Sequence, residues 1–235
     1  MSPRRGAPSR RVVERCAGVL GELALVRVGR RGYEIVAAGV FLTATHCRRS
    51  ERALAREALA AVREPRRVLV GGLGVGHTLR AVLDDARVHE VVVVEIEPKV
   101  LEWAQAYLPA VARALADPRV RVTVGDLAAY LRDAAPASYD AILVDTDNGP
   151  GWLVREANAR LYGPDGLVSA WDALAPGGAA AYWSAAPSET LPRDMARAGF
   201  EVRTVTVPWR DGNTPDVIYI GLKGHGPEAP EADAG

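Results

Sequence analysis

The sequence predicts an α/β fold built on a mostly parallel sheet with helices on both faces. Two observations carry that reading. From Arg67 onward, short apolar runs alternate with helix-length segments, a rhythm that implies parallel strands joined by helical crossovers. The first run opens into a loop with glycine at every second position, Gly72, Gly74 and Gly76, and the next run ends on Glu95. A third observation sets the N-terminal region apart. Between Gly21 and Thr45 the short β-like runs GELALVRV, GYEIVAA and VFLTA are separated by glycines, which predicts a small antiparallel unit ahead of the main sheet.

The elements follow in order. Residues 1–20 carry Arg4, Arg5, Arg10, Arg11 and Arg15 with no apolar core behind them, which reads as a loose basic arm and not a secretory leader. After the β unit, SERALAREALAAVRE is rich in helix formers, with Ser50 as its N-cap and Pro65 as its end. Residues 21–64 thus form the β unit and a linking helix, and 65–222 the main domain. Val68–Gly71 and Glu90–Glu95 are the first two strands, with a helix from Leu79 between them. A helix after Pro98 leads to strand Val120–Val124, then Asp126 and a short helix to Leu131. Tyr139–Asp145 is the fourth strand; the segment Leu161 to Leu174 holds a helix closed by Pro176-Gly177-Gly178. Ala179–Ser184, Phe200–Val207 and Val217–Leu222 complete the sheet, the last two as a pair. The tail, residues 223–235, is small, polar and proline-bearing, which predicts disorder.

In such sheets ligands bind beyond the carboxyl ends of the strands. The ends of the first four strands are the glycine loop, Glu95, Asp126 and Asp145. A loop without Cβ atoms lets a ligand approach the backbone, and the following helix aims free N–H groups at the same place. A carboxylate at the end of the second strand can accept both hydroxyls of a ribose. A dinucleotide fingerprint would need its third glycine where His77 stands, so a nicotinamide dehydrogenase is disfavoured. The tighter loop resembles the nucleoside-methionine loop of S-adenosylmethionine (SAM) dependent transferases. Structural readings stand beside the functional ones: Asp126 can N-cap the helix after it, and Asp145-Thr146-Asp147-Asn148-Gly149-Pro150 is also turn-forming chemistry.

Composition excludes several classes. Acidic and basic residues balance at 29 each, which argues against nucleic acid as the main partner. No apolar run approaches the length of a membrane span, so the expected location is the cytoplasm. Cys16 and Cys47 lie in no metal-ligand spacing, and His46 beside Cys47 is not read as a metal pair.

The stretches VLVGGLGVG, VVVVEIEPKVLEWAQAYLP, DPRVRVTVGDLAAYL, YDAILVDTDNGP and LAPGG together resemble the spermidine synthase family of aminopropyltransferases. They resemble more closely its methyltransferase-like members. The resemblance implies a class I SAM-methyltransferase Rossmann-like fold, with a seven-stranded sheet whose last strand is antiparallel. It implies SAM or decarboxylated SAM as cofactor, a small-molecule acceptor and a homodimer. By position it implies that Gly71, Gly72, Gly74 and Gly76 line the methionine part, with Glu95 and Ile96 at the ribose and Asp126 and Leu127 at the adenine. Asp145 would deprotonate the acceptor amine and border the cofactor, with Asp147 in support. Glu51, Asn148 and Trp152 would touch the acceptor. The departures lie on the acceptor side and in the loop. Gly74 stands where the family has an acidic residue, Arg49-Ser50-Glu51 keeps only the Glu of a Tyr-His-Glu trio, and Leu42 falls near an expected glutamine. The second aspartate, three residues past the first, is shifted or lost. These changes weaken the grip on a diamine and leave nucleoside binding intact. The expected activity is therefore methyl transfer to a small molecule, with aminopropyl transfer and a non-catalytic nucleoside binder as alternatives.

Overall fold

The computed structural model describes residues 8–46, 48–208 and 214–224. Its first layer is a four-stranded antiparallel sheet in the order β1-β2-β3-β4, made of Arg10–Gly18, Gly21–Val28, Gly32–Ala37 and Val40–Ala44. The basic arm expected over 1–20 is therefore a strand from Arg10 onward. Its arginines misled because they lie on the outer edge of a paired strand. Arg10 meets Glu34, Arg15 meets Glu22 at 2.6 Å, and Glu14 meets Lys99 at 2.6 Å. Val13 and Cys16 turn inward and pack against the core. Exposed pairs of this kind contribute only about 0–1 kcal/mol each, so the backbone ladder to β2 and the inward side chains hold the strand.

Helix α1, Arg49–Ala60, crosses to the main sheet. It starts at Arg49 without a side-chain cap and ends before Pro65. Ser50, expected as N-cap, is instead buried in the first turn, with its hydroxyl 3.4 Å from a carboxylate oxygen of Glu51. The main sheet is then built in alternation. Its elements are β5 (Arg67–Gly71), α2 (His77–Leu83), β6 (Glu90–Glu95), α3 (Pro98–Tyr107), α4 (Pro109–Leu115), β7 (Val120–Val124), α5 (Leu127–Asp133) and β8 (Tyr139–Val144). A 3-10 turn at Glu156–Asn158 precedes α6 (Ala159–Tyr162) and α7 (Pro164–Ala173). The chain closes with β9 (Leu174–Ser184), α8 (Leu191–Arg197), β10 (Glu201–Val207) and β11 (Asp216–Leu222). The single helix expected over 161–174 is split, because Gly163 and Pro164 restart it: a proline at N1 suits a new helix and not the middle of an old one. Pro109 acts in the same way, and the Leu108-Pro109 step separates α3 from α4.

The seven-stranded order is β10-β11-β9-β8-β5-β6-β7. Within it, β11 runs antiparallel to both its neighbours, as the resemblance implied. The alternation along each strand sorts the core into two layers. Val68, Val70, Val91, Val93, Ala141 and Leu143 face α1 to α4, and the four-stranded sheet adds Leu23, Leu25, Ile35 and Ala37 to that side. Leu69, Val92, Val94, Ile142 and Val144 face α5 to α8. Trp103, on α3, is 1% exposed, and burying a side chain of this size contributes on the order of 3 kcal/mol. Lys223 is anchored and no part of a loose tail: its ammonium donates to the carbonyls of Trp171 and Leu174 at 2.6 and 2.7 Å. The rest of the expected tail, from residue 225, lies outside the described residues, as does Cys47.

The strand order reverses at β5, whose neighbours β6 and β8 lead to opposite edges. That reversal opens a crevice at the carboxyl ends of the strands.

Candidate active site

The crevice is a cleft of about 1000 Å³, counting the solvent at its mouth. Gly72 to Val75 of the glycine loop form its floor; Gly76, expected to line it, does not, and only shapes the loop. Gly72, Gly74 and Gly76 all have positive φ, +90°, +50° and +70°, a region costly for residues with a Cβ. Close approach adds to this. A Cβ on Gly72 would stand 2.2 Å from the carbonyl oxygen of Asp145, and one on Gly76 would stand 2.5 Å from Val111. Gly71 belongs to the loop for another reason. It does not line the cleft; a Cβ there would lie 2.1 Å from Leu127, so its missing side chain makes room for that leucine.

Glu95 is 6% exposed and reaches under the loop. One carboxylate oxygen accepts from the N–H of Leu73 at 2.8 Å and the other from the N–H of Glu97 at 2.9 Å. Burial pushes its carboxyl above the usual carboxylate range, against the pull of those N–H groups. Each oxygen keeps a further lone pair, which suits a pair of ribose hydroxyls. Ile96, Gly125 and Leu127 continue the wall on this side. Asp126 does not line the cleft. Its carboxylate caps α5 through the N–H of Ala129 at 3.1 Å and pairs with Arg155 at 2.5 Å. Partial burial works against its charge, but Arg155 and the cap outweigh it and hold the carboxyl low. Nothing in the spacing of the sequence singled out Arg155.

On the other side of the loop Asp145 follows β8. Its carboxylate accepts from the hydroxyl of Thr78, the second residue of α2, at 2.6 Å. Burial pushes its pKa up to about 6, Thr78 pulls it down, and Asp216 at the start of β11 pushes it further. Glu51, in the first turn of α1, also lines the cleft. Burial, then the neighbouring Asp145, raises its pKa to about 8. Two carboxyls on different elements thus share one low-dielectric space. The sequence marked Glu51 and Asp145 but not Thr78 or Asp216, which stand far from them along the chain.

Asp147 was expected beside Asp145 in the chemistry. It touches the cleft, but its oxygens are committed: they accept from the N–H groups of Asn148 and Val154, at 2.9 and 2.6 Å, and from the amide of Asn158 at 2.8 Å. It organises the 148–158 loop, which is the turn chemistry its neighbours advertised. Asn148 lines the cleft. Trp152 does not; it is 58% exposed on the outside of the loop, so the predicted acceptor contact is absent. Leu20, Ile35, Leu42 and Thr43, all from the four-stranded sheet or its turns, close the cleft from above. That sheet is tied down by Glu97, 1% exposed, which accepts from the N–H of Leu20. Among the described residues no group of three or more metal-binding side chains occurs, and no helix is long and apolar enough to cross a membrane.

The strand order, the glycine loop and the strand-end carboxylates define an α/β protein with a class I methyltransferase-type sheet. Comparison with known proteins narrows the class. The spermine/spermidine synthase domain model matches residues 48–180, and the chain belongs to that family. Spermidine synthase 2 of Arabidopsis thaliana is 39% identical over 93 residues, covering 40% of this chain and 27% of that protein. Putrescine N-methyltransferase 3 of Nicotiana tabacum is 34% identical over 117 residues, covering 47% of this chain and 31% of the relative. The chain thus aligns with about a third of the length of these curated relatives. In fold, a spermidine synthase solved with the transition-state analogue AdoDATO superposes with a TM-score of 0.79 at 21% identity, over 93% of this chain and 75% of that one.

Proposed function

We propose that the protein transfers a methyl group from SAM to an amine of a small molecule. The observation that carries the reading is one cleft with Glu95 beneath the glycine loop on one side and Asp145 with Glu51 on the other. Glu95 would hold the ribose hydroxyls, Leu127 would lie against the adenine, and the backbone of Gly72 to Val75 would border the methionine part. A sulfonium cofactor supplies an electrophilic carbon and departs as a neutral thioether. The chain's own task is to place the acceptor nitrogen about 3–3.5 Å from that carbon, in line with the breaking bond. The nitrogen must also shed a proton. Asp145 is suited to accept it, because a carboxyl raised to about 6 is a better base than an ordinary one and is still largely ionised at neutral pH.

Gly74 favours SAM over its decarboxylated form. At φ +50°, with Thr43 3.1 Å from where a Cβ would stand, the loop carries no carboxylate to hold a donor's terminal ammonium or to repel a methionine carboxylate. Aminopropyl transfer is the second reading, favoured by a relative named as a spermidine synthase. The Asp126–Arg155 pair would act from outside the cleft, tying the 148–158 loop to α5. A homodimer in the cytoplasm is part of the same proposal. Isothermal titration with SAM and decarboxylated SAM, followed by mass spectrometry of amine products, tests it. SAM binding and a product heavier by one methyl are expected; binding of the decarboxylated form alone would overturn methyl transfer.

A further inference from the structure

We infer that Thr78 is a positioning residue for the transfer: its hydroxyl holds the Asp145 carboxylate ionised, ready to take a proton from the acceptor amine. The inference rests on the transfer reading above and adds a residue to its machinery. The hydroxyl of Thr78 donates to Oδ2 of Asp145 at 2.6 Å. Thr78 is 3% exposed and does not line the cleft, so it acts on a bound amine only through Asp145. Asp145 lines the cleft and keeps some exposure to it. Among the described residues no group donates to its other oxygen, Oδ1, which is left to take the proton. The backbone of Asp145 is held by the same unit. Its N–H donates to the Gly71 carbonyl at 2.9 Å, and its own carbonyl oxygen lies 2.2 Å from where a Cβ on Gly72 would stand. The glycine loop thus grips the base by its main chain, and α2, into which the loop runs, grips it by its side chain. Donor loop and base are held in one register, which is what in-line transfer requires.

The hydroxyl matters because Asp145 stands among groups that oppose its charge. Glu51 of α1 and Asp216 of β11 both face it, and Tyr162 of α6 is a further neighbour. His77, just before Thr78, turns its Nε2 to the Ala44 carbonyl at 3.3 Å. Asp147 is committed to the N–H groups of Asn148 and Val154 and to Asn158. Burial raises the Asp145 carboxyl most; Thr78 works against that rise, and Asp216 adds to it. An O–H donor stabilises a carboxylate more than the neutral acid. Without it, the proton that Asp145 must accept would already be in place at neutral pH. In the step itself the acceptor nitrogen gives a proton to Oδ1 and its lone pair forms the bond to the methyl carbon. The C–S electron pair leaves with the neutral thioether. Oδ1 must be free of a proton for that step, and Thr78 keeps it so.

Carbon-13 NMR of the aspartate carboxyls in the full chain follows this titration directly, with the Asp145 resonance assigned by its loss in Asp145→Asn. Glu51→Gln serves as the background, so that Asp145 is read without its coupling to Glu51. With Thr78 in place the midpoint is expected at about 6. Thr78→Val keeps the shape and removes the hydroxyl; it should raise the midpoint by about one to two pH units, the worth of a hydrogen bond to a charged group. Thr78→Ala, which loses the same hydroxyl in a smaller side chain, should raise it alike. Thr78→Ser restores the donor and should bring the midpoint back to within about half a pH unit. Calorimetric titration with S-adenosylhomocysteine reports that each protein is folded, and its affinity should stay within about threefold throughout. A midpoint unmoved in Thr78→Val and Thr78→Ala, or unrestored in Thr78→Ser, would overturn the inference. So would an S-adenosylhomocysteine affinity lost with the hydroxyl, which would make Thr78 a support of the loop. If the unaltered protein binds no S-adenosylhomocysteine, the transfer reading itself fails, whatever the midpoints.

Discussion

Replacing Glu51 by Gln should change how stability depends on pH. The carboxyl of Glu51 titrates near 8 in the folded protein, against an ordinary value of 4.5, because it is buried and faces Asp145. The native state therefore holds this proton more tightly than the unfolded chain does. Stability is fully present below about 4.5 and falls as pH rises toward about 8, since the unfolded state ionises first and is favoured by doing so. At pH 7 the gap from the ordinary value corresponds to about 3 kcal/mol, at roughly 1.4 kcal/mol per pH unit. Part of that belongs to the pair, because Asp145 moves with Glu51; a loss of about 2–3 kcal/mol between pH 5 and pH 7 is the working figure. The glutamine variant cannot ionise at this position and leaves Asp145 and Asp216 as the neighbouring carboxyls. Urea unfolding at pH 5, 6, 7 and 8 measures the difference. The unaltered protein should lose about 2 kcal/mol or more relative to Glu51→Gln across that range. Parallel stability curves for the two proteins would refute the placement of Glu51 in a shared low-dielectric space with Asp145.

Other outcomes follow from the same geometry. Asp145→Asn should lower kcat for amine transfer by about 10²–10⁴, the usual worth of a general base, while titration shows nucleoside affinity within a few-fold of the original. Gly72→Ala, with φ at +90° and a Cβ 2.2 Å from the Asp145 carbonyl, should destabilise by about 2–4 kcal/mol and abolish nucleoside binding in calorimetry. Asp147→Ala strips the partners from the N–H groups of Asn148 and Val154; a loss of about 2–4 kcal/mol and faster limited proteolysis within residues 148–158 are expected. Arg155→Ala breaks a partly exposed pair with Asp126 and should cost no more than about 1 kcal/mol in thermal unfolding.

The parallel sheet was legible because its strands are buried on both faces and so read as unbroken apolar runs, as at Val91 to Val94. The glycine loop and Glu95 were legible because backbone conformation and strand-end chemistry are local properties. What escaped was set by contacts distant in sequence. β1 hides behind its arginines, and only its partners Glu34, Glu22 and Lys99 show why they face outward. Asp147 and Trp152 share a loop with Asp145, and no pattern in those eight residues says that one carboxylate aims into the cleft while its neighbour gathers the loop. Arg155, Thr78 and Asp216 carry no motif. Their importance exists only once α2, α5 and β11 have been brought around the same strand ends.

The division of the cleft has a consequence for how such a protein diversifies. Strands β5 to β7 with their loops make one half, and α1 with β8, β9 and β11 makes the other; the sheet between them is rigid and apolar. Substitutions at Glu51, Asn148 or Trp183, or at Asp216 behind them, can therefore redraw one half without moving Glu95 or the glycine loop. On the proposed transfer reading, a gene copy could drift from one amine to another by a few changes around that half while its donor machinery stays under unchanged selection. The same separation recommends these four positions, varied together, as the library for retargeting the protein in the laboratory.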